Sequence, residues 1–125
     1  MKVLSEISAG ELLDKISILE IKLDNIQDKE KLVEINKEFK SLEETRKSNI
    51  KITENLQKLI NQLSEINFKL WNIEEEKRIC EKNEDFGNNF IQLSRSVYIN
   101  NDKRAKIKSD INKLLGSNIK EVKSY

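Results

Sequence analysis

No proline interrupts this chain of 125 residues, and glycine occurs only at positions 10, 87 and 116. Proline and glycine are the residues that break helices and shape turns. A chain so poor in both has few places to stop a helix once one has begun. Its apolar residues recur at alternating intervals of three and four, which lines them along one face of a helix. Together these features predict an all-α fold in a single helical domain over 1–125.

Four segments follow the pattern. Ser8-Ala9-Gly10-Glu11 has the Ser-x-x-Glu spacing of a capping box, in which Ser8 accepts from the Glu11 amide and Glu11 reaches back to the Ser8 amide. The stripe Leu12, Ile16, Leu19, Leu23, Ile26 then predicts a helix near 9–26. Leu13, Ile18 and Ile21 lie off that stripe, so this helix is either central or at an oligomer interface, and a dimer is expected. Asp28 can cap a second helix near 29–47, with the stripe Leu32, Ile35, Phe39, Leu42. Residues 47–52 read as a joint, with continuous helix as the alternative. Thr53 can cap a third helix near 54–82, whose seam Leu56, Leu59, Leu63, Ile66, Leu70, Ile73, Cys80 is interrupted only by Lys77. A turn around Phe86 and Gly87 leads to a fourth helix near 88–115, which Gly116 can stop in left-handed geometry. The four are expected to pack mainly antiparallel, the third and fourth as a long hairpin.

Charge and residue chemistry narrow the function. The net charge of +1 supplies no field to recruit nucleic acid or an anionic membrane. The basic excess after residue 100 reads as a solvated helix face. Histidine is absent, which removes the Glu-x-x-His di-metal sites of helical bundles and the usual histidine-activated nucleophiles. No glycine-rich phosphate loop occurs. No cofactor or metal is expected, and binding is favoured over catalysis. Cys80 stands alone, so it forms no internal disulfide, and its seam position makes it a small buried hydrophobe. No run approaches the roughly 18 apolar residues of a membrane span. Residues 1–10 lack the apolar stretch of a signal peptide. A cytoplasmic home is the expectation.

The fourth helix carries the one polar anomaly. Its stripe Phe90, Leu93, Val97, Asn100, Arg104, Ile107, Ile111, Leu114 turns polar only at its centre. A hairpin about 85–87 would set Trp71 beside Asn100, Glu74 beside Val97 and Asn67 beside Arg104. Into that zone fall Trp71, Glu74, Glu75, Arg78, Arg95, Tyr98, Asn101 and Arg104. Two readings are open. One is a structural network in which Glu74 or Glu75 pairs with a half-buried Arg95 or Arg104 beside Tyr98. The other is a pocket for a small anionic ligand, since the arginine fork matches carboxylates and phosphates. The chain is rich in lysine, isoleucine and asparagine and holds only two alanines, Ala9 and Ala105, as an AT-rich genome would produce. Ala9 and Ala105, the glycines Gly10, Gly87 and Gly116, and the arginines Arg78, Arg95 and Arg104 resist that drift and are marked for a physical reason.

The blocks ISAGELLDKISILEIKL (7–23), LWNIEEEKR (70–78), DFGNNFIQLSRSVYINNDKRAKIK (85–108), INKLLGS (111–117) and EVKSY (121–125) resemble an uncharacterised bacterial family of short helical proteins, a domain of unknown function. SAGELLDK, LSRSVY, NDKRA and the KSY ending are its marks, EVKSY departing slightly from an EEKSY ending. The resemblance implies a bacterial origin and carries no catalytic role. The set Arg78, Arg95, Arg104 and Lys15 is also similar in kind to the arginines and lysine that helical chorismate mutase arranges around a dicarboxylate, although the motif pattern differs.

Overall fold

A computed structural model describes residues 1–124; Tyr125, the last residue of the EVKSY block, lies outside the described residues. The described residues form four helices, α1 Ala9–Asn25, α2 Lys29–Asn49, α3 Glu54–Lys82 and α4 Asn88–Leu115. The described residues contain no strand. The helix starts follow the expected caps. Ser8 Oγ accepts from the Glu11 amide at 3.1 Å, Asp28 from those of Glu30 and Lys31 at 3.0 and 3.2 Å, and Thr53 from Leu56 at 3.3 Å. Each satisfies an amide that the first turn of a helix leaves without an internal partner. One half of the capping box is not used: the Glu11 carboxylate turns instead to Lys108.

α2 and α3 are separate helices. α2 continues to Asn49, past the expected end at 47, and the chain breaks at Ile50, whose backbone is extended. Gly116 closes α4 with φ 63°, where a side chain would be strained. The expected turn joins α3 to α4. Gly87 has φ −77° and serves as the N-cap of α4. The left-handed residue is Glu84, at φ 53°.

α1 is the central helix and packs against α2, α3 and α4. Gly10 meets Asn112, Glu11 meets Lys108 and Asp14 meets Arg104, so α1 runs antiparallel to α4. α3 and α4 form the long hairpin. Leu13 and Ile21 are buried within the single chain and Ile18 is partly covered. Their position off the main stripe is therefore explained by three neighbours in one chain rather than by a second subunit. α2 lies outermost, packs on α1 alone and buries no residue fully. Its stripe Leu32, Ile35, Phe39, Leu42 is only half covered.

The core has two apolar parts. Leu13, Leu56, Leu63, Ile66 and Ile111 form the larger; Ile73, Cys80 and Leu93 form the smaller, with Phe90 and Val97 against it. Fully burying a leucine or isoleucine stabilises by about 1.5–3 kcal/mol, so the larger part anchors α1 to the hairpin. Between the two parts lies a polar layer, and there α1 crosses the hairpin.

Candidate functional site

The polar layer is built from three helices. Asn100, Arg104 and Lys108 recur every fourth residue on α4 and so share a face. On α1 a second face carries Gly10, Asp14, Ser17 and Ile21, and α3 contributes Asn67 from the flank of its apolar seam. Asp14 is 1% exposed. A lone carboxylate at that depth would be costly. Arg104 meets it with two parallel donors, Nε to Oδ1 at 2.9 Å and Nη2 to Oδ2. Asn67 Nδ2 donates to Oδ1 at 2.9 Å and to Ser17 Oγ at 3.2 Å. Lys108 Nζ stands 3.6 Å from Asp14 and donates to Glu11 at 2.7 Å and Glu121 at 3.2 Å.

These contacts set the protonation states. Burial raises the Asp14 pKa, but the hydrogen bonds from Arg104 and Asn67 and the charges of Arg104 and Lys108 outweigh it and hold the carboxyl below its ordinary range. The hydrogen bond to Asp14 holds Arg104 above its own ordinary value. Burial disfavours the Lys108 ammonium, yet Glu11, Asp14 and Glu121 together raise its pKa. All three remain charged at neutral pH.

Beside this layer is a hollow of about 490 Å³, within the range of small-molecule sites. Ile18 and Ile21 of α1 wall it on one side, Leu70 and Trp71 of α3 and Val97 of α4 on the other. Arg104 and Asn67 line it from the polar layer, and Asn101, Glu74, Glu75 and Arg78 complete the lining. Asn67 and Arg104, and Glu74 and Val97, all line this hollow, while Asn100 does not.

Six of the eight expected site residues converge there: Trp71, Glu74, Glu75, Arg78, Asn101 and Arg104. Arg95 and Tyr98 do not. Arg95 is exposed and donates only to Gln92 at 3.4 Å, while Tyr98 is 56% exposed. The reason is angular. Both lie roughly a quarter-turn or more from the Val97–Asn101–Arg104 face. The expected pairing of Glu74 or Glu75 with an arginine is also corrected. The acid that Arg104 takes is Asp14, and Glu74 sits 4.0 Å from Lys77. Nor do the arginine–lysine set of a chorismate mutase converge, because Lys15 pairs with Glu11 on the surface and Arg95 points away.

Asp14 and Lys108 are not singled out by the helical spacing, and Glu11 is singled out only as a cap. One signal was present: Asp14 is the only charged residue on an α1 face otherwise small or apolar, inside the SAGELLDK block. The drift-resisting residues also point here. A Cβ on Gly10 would stand 2.7 Å from the Lys108 carbonyl oxygen and 2.9 Å from Asn112 Oδ1. Glycine thus permits the close α1–α4 approach in which the Gly10 amide donates to Asn112 at 2.7 Å.

Arg104 spends Nε and Nη2 on Asp14, and its Nη1 reaches only Asn101 Oδ1, at 3.4 Å. Arg78 makes no ion pair among the described residues. No group of three or more metal-ligating side chains occurs among them either, and no helix is long and apolar enough to cross a membrane. No curated protein and no solved structure matches the chain. The model of the family of unknown function DUF6165 matches residues 1–125, and the chain belongs to that family.

Proposed function

We propose that this protein binds a small organic anion in the hollow between α1, α3 and α4, without catalysing a reaction on it. The observation that carries the reading is Arg104. Its guanidinium is held by a buried carboxylate, while on the wall of the hollow its Nη1 makes only a long hydrogen bond, to Asn101 Oδ1 at 3.4 Å. An arginine immobilised in this way loses little entropy when it takes a ligand. Arg78 adds a second fork, Trp71 a flat apolar wall, and Glu74 and Glu75 acceptors for hydroxyl or amine groups on the same ligand. A lone, buried Cys80 suits a reducing compartment, so a bacterial cytoplasm goes with the reading.

The test is a thermal-shift screen of phosphorylated and dicarboxylate metabolites on wild type, Arg78→Gln and Trp71→Ala. Arg78 is exposed, so its variant should melt as wild type does in the absence of ligand. A compound that raises the melting temperature of wild type and leaves Arg78→Gln unmoved supports the site. Equal shifts in all three proteins, or none from any compound, reject it.

Self-association as a dimer is a second reading, favoured by one observation. Val3 and Leu4 stand 78% and 83% exposed on an arm outside the helices.

A further inference from the structure

Residues 1–8 form an arm without helix, strand, turn or bend, leading into the N-cap of α1. Four apolar residues lie on it, Met1, Val3, Leu4 and Ile7, all exposed. Among the described residues, the one hydrogen bond to a backbone group of residues 1–7 is local: the Glu6 carbonyl accepts from Ser5 Oγ at 3.4 Å. An arm with apolar side chains and free amides and carbonyls presents an edge to which another strand can add. At its base lies a hollow of about 510 Å³, lined by Ile7, Leu12, Ile50 and Leu115 with Ser5 and Thr45. The Glu6 carboxylate accepts from Asn118, which fixes the arm's base against the end of the bundle.

The sequence of the arm says which strand fits. Paired antiparallel with a copy of itself and centred on Leu4, it sets Lys2 opposite Glu6 and Glu6 opposite Lys2. Leu4 then faces Leu4, Val3 faces Ser5 and Met1 faces Ile7. The opposite charges match on both sides of the axis, and period-two alternation puts Lys2, Leu4 and Glu6 on one face and the rest on the other. A contact in which residue i meets j while j meets i is the signature of a two-fold interface. A two-stranded ribbon alone is marginal in water. Here each arm's Met1 and Val3 fall beside the other copy's Ser5 and Ile7, over the apolar hollow, which supplies the missing burial.

We propose that two copies of this chain associate through residues 1–7, paired as an antiparallel ribbon about Leu4, with Met1 and Val3 of each arm covering the hollow at Ile7 and Leu115 of the other. The partner is a second copy, because the charge pattern is self-complementary.

The experiment is light scattering on the full chain from micromolar to millimolar concentration, with circular dichroism to confirm unchanged helix in every variant. Wild type should give a concentration-dependent dimer. Leu4→Asp should weaken it about a hundredfold, by facing two carboxylates across the axis in place of leucines. Lys2→Glu and Glu6→Lys should each weaken it about tenfold, and the double swap should restore association above either single variant. A monomer throughout, a dimer indifferent to Leu4→Asp, or a double swap that fails to restore association each overturns the proposal.

Discussion

Arg104 lays its guanidinium fork across the carboxylate of Asp14, a residue 90 positions away in the chain and 1% exposed. The two are buried unequally, the Arg104 side chain being 28% exposed. That inequality makes the consequences of removing them unequal. Arg104→Met leaves a buried carboxylate with only Asn67 and a more distant Lys108, and should cost about 3–5 kcal/mol. Asp14→Asn leaves an arginine that can swing to water, and should cost about 1–2 kcal/mol. Urea unfolding of both, with unchanged m-values, measures the difference. Equal losses would show that the pair is not organised around the buried acid.

The same pair sets the acid limit of the fold. Asp14 is depressed when folded and ordinary, near 3.8, when unfolded. Its contribution is therefore complete above the unfolded value and is lost as pH falls through the folded one. Stability should be flat from neutral pH to about 5 and fall below about 4, with a shallower fall in Asp14→Asn. A pH series of thermal melts on the two proteins reads this directly.

Glu20 behaves in the opposite sense. Burial, with Glu43 and Asp24 nearby, raises it above 4.5. A carboxyl whose folded pKa is raised costs stability as pH climbs through that window. Because Glu20 is exposed, solvent screening keeps the effect small. Glu20→Gln should stabilise by a few tenths of a kcal/mol at neutral pH and change nothing at about pH 4. A destabilised variant at pH 7 would contradict the sign.

Gly10 and Glu84 are opposite backbone cases. Gly10→Ala forces a methyl group against the Lys108 carbonyl and should cost about 1–3 kcal/mol, separating the start of α1 from α4. Exposed Glu84 holds a left-handed backbone at φ 53°. Glu84→Gly should therefore be neutral or stabilising by up to about 1 kcal/mol. Denaturant midpoints check both: that of Gly10→Ala should fall below wild type, and that of Glu84→Gly should not.

The helices were legible because their causes are local. Ser8, Asp28 and Thr53 cap the helices they precede. The stripe spacing and Gly116 likewise act within a few residues, so reading the chain in order suffices to place all four helices. The hairpin register was legible for a similar reason, since one short turn ties α3 to α4. That register brought Trp71, Glu74, Arg78, Asn101 and Arg104 to one hollow. The partner of Arg104 was not legible. Opposite α4 the sequence offered Glu74 and Glu75, and only the packing of α1 across the hairpin makes Asp14 the nearer acid. Arg95 and Tyr98 share the same stretch of helix, and their angle about the axis, set by where α1 lies, turns them to water. The sequence alone determined four helices, their ends and a polar layer in the fourth. The tertiary structure decided which charges meet there, because a contact between residues 14 and 104 depends on how three helices pack, and no local spacing encodes that.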